Sequence, residues 1–186
     1  DIWAIGVVKM PIDKFIKTTD SPKIKWIFPK KDFTFLADPF GIWKDDKLYI
    51  FYEGFDYRFK KGRIDCIVLN KDYEEIQSFT VLDESFHLSY PFIVEDNNSI
   101  YLIPESSRAK KTLIYLFNEF PRKLEAVGEL IPNLGMVDPS LINYQGRWWC
   151  FYSLLDKNDT ANGSLHIAFS KNLIGPWEQH PKNPVM

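Results

Sequence analysis

The sequence is poor in the residues that most often carry metal or nucleophile chemistry. It has three histidines and two cysteines in 186 residues. There is no CxxC pair, and the histidines are too scattered to read as a zinc site. Cys66 and Cys150 each lie inside an apolar, strand-like run, which points to two buried thiols rather than a disulfide. Basic residues occur only in short clusters such as "KKDF" and "FKKGR", and the formal net charge is -2. Nothing therefore suggests a nucleic-acid partner. No apolar stretch has the length of a membrane span, and no signal peptide opens the chain. Location is left open, with the cytoplasm favoured. Helical periodicity is nearly absent after the first twenty residues.

Aromatic residues, by contrast, are abundant at 16%, within a hydrophobic total of 45%. Such a chain is not disordered, and its length allows one domain with a substantial core. The aromatics recur in a pattern. Pro39, Pro91 and Pro139 are separated by 52 and 48 residues. The stretches that follow are "DPFGIWKDDKLYIFYEGF", "YPFIVEDNNSIYLIPESS" and "DPSLINYQGRWWCFYSLL" when each is begun one residue before its proline. Each holds a proline, a short apolar strand, an Asp/Asn/Gly turn and an aromatic-rich strand, the signature of a hairpin. Third strands are expected at "RIDCIVLN", "TLIYLF" and "SLHIAFS", and fourth strands at "EEIQSFTVL", "KLEAVGELI" and "GPWEQHP". Glu53, Glu105 and Ser153 each fall 14 residues after their proline.

Four strands repeated at this period are expected of β-propeller blades. An antiparallel sandwich is the rival, but a sandwich has no need for the proline to return in register. The expected fold is all-β, with blades of four antiparallel strands at about residues 36–83, 88–132 and 136–181. Three blades do not close a ring, so the chain reads as a fragment of a longer, five-bladed propeller. "IWAIGVV" at the start reads as an unpaired strand able to complete a final blade. Three Asn-x-Ser/Thr triplets, at Asn97, Asn158 and Asn162, lie in Asn-rich turns where such triplets arise by chance.

"ADPF" at 37–40 and "VDPS" at 137–140 resemble the Asp-Pro motifs of the five-bladed propeller glycosidases, which include arabinanases, β-xylosidases and invertases. The tail "SLHIAFSKNLIGPWEQHPKNPV" is similar to theirs in the order of its parts. The segments "WIFPKKDFTFLADPF", "LSYPFIVEDNNSIYLIPESS" and "DPSLINYQGRWWCFYS" resemble more closely one branch, the N-terminal propeller region of plant glucosamine inositolphosphorylceramide transferases. The likeness runs from about Trp26 to the end. It implies a carbohydrate or glycoconjugate partner, no cofactor, and an adjoining transferase domain or remaining blades. It is a weaker guide to activity, because one fold carries many functions.

In a propeller, a residue at the start of each innermost strand can face the central funnel. Asp38 and Asp138 hold that place in the first and third repeats, and Tyr90 holds it in the second. Glycoside hydrolysis needs two carboxyl groups flanking the scissile bond. The resemblance assigns Asp38 the role of general base or nucleophile and Asp138 that of the orienting acid. The proton donor of those enzymes comes from a later blade, and Glu105 in "IPESS" is the candidate within this chain. Glu105 reads equally well as a turn residue, or as a partner of Arg108. Glu53, Tyr90, His87 and Arg108 are the candidate sugar-binding residues, with a structural histidine the commoner reading of His87. Arg58, in "FDYRFKKGR", is a further side chain able to reach a ligand. Two function classes stand side by side: a glycoside hydrolase-like enzyme, and a non-catalytic sugar-binding or scaffolding propeller beside a transferase domain.

Overall fold

The structure, a computed structural model, describes residues 3–155 and 163–186. Asn158 and Asn162 lie outside the described residues. A short two-stranded sheet, β1 (Ile5–Val8) with β2 (Ile24–Ile27), opens the chain, with one helical turn, α1 (Ile12–Phe15), between its strands. "IWAIGVV" is therefore not unpaired: Ile5 faces Ile27 and Val8 faces Ile24 across the ladder. The partner strand "IKWI" is four residues long, with three of them exposed, so it gives no alternation to read.

Three four-stranded antiparallel sheets follow. The first is β3 (Thr34–Lys44), β4 (Lys47–Asp56), β5 (Lys61–Leu69) and β6 (Glu75–Leu82). The second is β7 (Ser89–Asp96), β8 (Ser99–Glu105), β9 (Leu113–Glu119) and β10 (Lys123–Glu129). The third is β11 (Val137–Tyr144), β12 (Arg147–Ser153), β13 (His166–Ser170) and β14 (Glu178–Gln179). Within each sheet the strands lie in chain order, and the first strand of the second sheet, β7, lies against both β3 and β11. These are three blades of a propeller, with those first strands innermost.

Local chemistry sets each blade. The first two strands of every sheet are joined by a two-residue turn with both residues at positive φ: Asp45 and Asp46, Asn97 and Asn98, Gln145 and Gly146. That is the type I′ geometry whose twist suits a hairpin, and Asp, Asn and Gly tolerate it best. The second strands alternate between two neighbours. In β8, Ile100 and Leu102 pack on the first sheet, while Tyr101 and Ile103 pack on the third. In β4, Tyr49 and Phe51 face the second sheet, while Leu48, Ile50 and Tyr52 pack with Ile5 and Ile27 of the opening sheet. Strands buried on both faces read as continuous apolar runs, which is why "LYIFY" and "IYLI" lack a polar face.

Both thiols are free and buried, Cys66 between the first two blades and Cys150 between the second and third. Burial pushes the Cys66 thiol up to about 12. Leu102 is fully buried at the interface of the first two blades. Leu102→Ala is expected to lower stability by about 2–5 kcal/mol, through lost transfer energy and an unfilled cavity. Urea unfolding of the protein would measure it.

Candidate functional site

The three innermost strands share one irregularity, and the site is built on it. In the first blade, Ala37 pairs with Glu53 and Phe40 with Phe51, so Asp38 and Pro39 together oppose Tyr52. In the second, Ser89 pairs with Glu105 and Phe92 with Ile103, leaving Tyr90 and Pro91 against Pro104. In the third, Val137 pairs with Ser153 and Ser140 with Phe151, leaving Asp138 and Pro139 against Tyr152. Two residues against one is a β-bulge, which turns a side chain out of the pleat. The first bulge residue has φ of 50° at Asp38, 43° at Tyr90 and 50° at Asp138. The left-handed region is unfavourable for a side-chain-bearing residue, and more so before proline. The proline of each pair brings no N–H that a bulge would leave unpaired. Strand β3 begins four residues before Asp38, so this acid lies within its strand rather than at the start.

The bulges bring the acids together. Asp38 and Asp138 are half-buried, and Asp138 lies close enough for its charge to act on Asp38. The Tyr90 amide donates to Asp38 Oδ2 at 3.3 Å, linking the first blade to the second. The Asp138 amide donates to Glu105 Oε2 at 3.1 Å, linking the third blade to the second. Ser107 Oγ donates to Glu105 Oε1 at 2.7 Å. Glu53 occupies in the first blade the register that Glu105 holds in the second, and it is 6% exposed. Its Oε1 has no hydrogen-bond partner and stands 3.6 Å from His87 Nε2.

Burial dominates the electrostatics. It pushes the Glu53 carboxyl up to about 8, with Asp38 and Glu105 adding like-charge repulsion. It pushes Glu105 up to about 7, while the hydrogen bond from Ser107 acts in the opposite sense. Burial also raises Asp38, partly offset by the Tyr90 amide, and Asp138 adds to the rise. The site therefore holds two glutamates whose proton release is pushed towards neutral pH, the kind of shift that acid–base chemistry uses.

Asp38, Asp138, Glu105 and Glu53 thus form one cluster. Tyr90 sits beside it, with its hydroxyl 2.7 Å from Ser140 Oγ and its ring edge-on to Phe40. His87 braces rather than reaches. Its Nδ1 accepts the Gly62 amide at 2.9 Å, which leaves the proton of the neutral ring on Nε2, towards Glu53. Its pKa is lowered by burial and by Arg108. A Cβ on Gly62 would lie 2.5 Å from Glu53 Oε1 and 2.9 Å from His87 Cε1, so only glycine admits this approach. Arg108 is exposed on a 3-10 turn, Ser107–Ala109, and forms no ion pair with Glu105 among the described residues. Ser107 and the Asp138 amide take the place expected for it. Arg58 is likewise engaged locally, by Asp56 at 2.6 Å. Sequence reasoning missed Ser107, Ser140 and Gly62. Ser140 follows the proline of "DPS", and Gly62 stands in the "FKKGR" cluster read as solvated loop. A concavity of about 600 Å³ lies elsewhere, lined by Phe28, Phe35, Phe55 and Arg63 on the far side of the first sheet.

Solved structures that this chain resembles in fold include glycoside hydrolases of the five-bladed propeller type. A family 117 glycoside hydrolase from Zobellia galactanivorans matches with a TM-score of 0.65 and 16% identity, over 83% of this chain and 57% of that one. An exo-β-1,3-galactanase from Clostridium thermocellum matches with a TM-score of 0.63 and 14% identity, over 79% and 35%. The fold class is that of these propellers. More narrowly, the chain belongs to the family described as glucosamine inositolphosphorylceramide transferase 1, N-terminal, whose model matches residues 11–186. Glucosamine inositolphosphorylceramide transferase 1 of Oryza sativa subsp. indica is 34% identical over 154 residues, and that of Arabidopsis thaliana 33% over 159. Each match covers 81% of this chain, and the chain spans 20% of the length of each relative.

A carboxyl whose pKa is higher in the folded state stabilises the fold at low pH, and that contribution is lost as pH rises through the folded value. Stability is expected to fall between about pH 4.5 and 8, where the unfolded chain has released the Glu53 proton and the folded chain has not. Glu53→Gln should flatten this slope and be more stable than the parent at pH 8. Thermal unfolding at pH 5 and pH 8 would measure both.

Proposed function

We propose that this chain is part of a carbohydrate-active propeller that engages a glycoside or glycoconjugate at its axial carboxylates. One observation carries the reading. Four acids from three blades share one locus, and Glu53 and Glu105 hold their protons near neutrality while Asp38 lies beside them. In a hydrolytic cycle, Glu105 would give its proton to the leaving oxygen. Asp38 would activate water or attack the anomeric carbon, and Asp138 would orient the sugar. Tyr90, Glu53, His87 and Arg108 would shape and polarise the pocket. The relatives' name pairs an amino sugar with an inositol lipid, which supports a glycoconjugate as the ligand class.

A second reading is favoured by a specific contact. Both Glu105 oxygens are already engaged, one by Ser107 and one by the Asp138 amide. Both donors favour the carboxylate form and occupy the oxygens that would have to reach a leaving group. The propeller would then hold the sugar for an adjoining transferase domain without cleaving it, in keeping with transferase relatives.

A panel of aryl pyranosides and furanosides offered to the full-length protein separates the two. Turnover that falls about 10²-fold or more in Asp38→Asn, with binding retained, supports hydrolysis. Measurable sugar binding with no turnover supports the binding module. Absence of both overturns the sugar-site reading.

A further inference from the structure

Two connections that the axial site leaves unused meet at one end of the first blade. Residues 28–33 and 57–60 carry most of the basic clusters "KKDF" and "FKKGR". Thr34 and Asp56 form the last pair of the β3–β4 ladder, so Phe33 and Phe59 stand beyond its end. The Tyr57 amide donates to the Phe33 carbonyl at 2.9 Å, which ties one connection to the other. Phe28, Lys31, Phe59 and Lys61 line the same concavity of about 600 Å³.

The rings are presented rather than packed. Phe28 is 62% exposed, Phe33 68% and Phe59 74%. Phe33 also has a φ of 60°, where a bulky side chain is an outlier. Tyr73 shares that backbone region but packs against Trp43 and the core beneath the opening sheet. At Phe33 no comparable burial offsets the strain, and strain kept in this way points to a partner. Cations flank the rings. The Arg58 guanidinium stands 5.8 Å from the centre of the Phe59 ring. Lys30, Arg58 and Lys61 are paired with Glu75, Asp56 and Asp83, whereas Lys31 and Lys60 form no ion pair among the described residues. Acids thus balance most of the local positive charge, which leaves too weak a field for a nucleic-acid backbone. Aromatic tips beside two unpaired lysines suit a bilayer interface instead. The rings enter the acyl boundary, and the lysines reach out to anionic headgroups.

We propose that residues 28–33 and 57–60 dock the first blade on an anionic lipid bilayer, with Phe28, Phe33 and Phe59 inserted at the interface and Lys31 and Lys60 on the headgroups. The inference concerns where the protein sits and does not depend on what the axis takes. A further blade is a poorer occupant for the two tips. Blades stack on sheet faces, as the second does on Tyr49 and Phe51, whereas Phe33 and Phe59 stand past the end of the ladder. The surface also lies at the acidic end of the blade. Asp38 is four residues from Thr34, about 13 Å along an extended strand, and the turn at Asp45 and Asp46 lies at the opposite end. Docking would set Asp38 near the headgroup plane and leave the hairpin tips in water.

Hydrogen exchange of the full-length protein tests this, read peptide by peptide with and without vesicles of phosphatidylcholine and phosphatidylserine. Amides of residues 28–33 and 57–60 are expected to exchange about tenfold more slowly on the vesicles, with the turns at Asp45, Asn97 and Gln145 unchanged. Phe33→Gly should weaken vesicle binding about tenfold in cosedimentation. Its Tm should hold or rise, because glycine accepts the positive φ without penalty. Lys31→Gln and Lys60→Gln should each cost about fivefold on the mixed vesicles and little on phosphatidylcholine alone. The protection pattern of the unaltered protein decides the matter even where a variant does not fold. Vesicle binding that leaves these residues unprotected overturns the inference, as does equal binding by Phe33→Gly or no binding at all. Protection already present without lipid overturns it too, and assigns the surface to another part of the chain. Protection that grows with protein concentration in the absence of lipid does the same in favour of a second copy. The glycoside panel tests the axial site separately, so failure here leaves that reading standing.

Discussion

Neighbouring blades are tied at the axis by a carboxylate on one sheet and a backbone amide on the next. Asp38 accepts the amide of Tyr90, and Glu105 accepts the amide of Asp138. Each of those amides belongs to the first residue of a bulge, which has left the regular ladder and needs another acceptor. The bulge also turns the side chain of that residue out of the pleat. One local distortion, repeated in three sheets, therefore both fastens the blades and sets out the acids. The unfavourable φ at Asp38, Tyr90 and Asp138 is held by the ladders on either side, as is usual where strain persists at a site.

This arrangement leaves an electrostatic remainder. The ties engage Asp38 and Glu105 with dipoles rather than with full charges. Glu53 Oε1 receives neither, while the Tyr90 amide goes to Asp38. It is left facing His87, whose tautomer the Gly62 amide fixes. The third blade has Ser153 in the register of Glu53 and Glu105, so the acids are unevenly distributed around the axis. A blade can evidently be built without a glutamate there.

Much of the architecture was legible in the sequence. The spacing of Pro39, Pro91 and Pro139 marked the repeat. The turns "KDDK", "EDNNS" and "NYQGR" marked the hairpins, because Asp, Asn and Gly announce positive φ. The shared offset of Glu53, Glu105 and Ser153 was a statement about register, and the ladders place each opposite the residue before its bulge. The bulge itself was not legible. A proline near the start of a strand says that an N–H is absent, but not that two residues oppose one. Nor was the pairing of "IGVV" with "IKWI" legible, since a short strand with three of four residues exposed carries no period. Arg108 stood near Glu105 in sequence, where an ion pair was a natural expectation. The 3-10 turn instead brings Ser107 onto that carboxyl.

Each type I′ turn begins seven residues beyond its bulge, at Asp45, Asn97 and Gln145. At the rise of an extended strand this places the tips about 20 Å from the carboxylates. Asn97 is exposed at the middle tip. That rim is where a glycan, a fluorophore or a grafted loop can be attached well away from the axial acids, so a reporter on one end of each blade could follow events at the other.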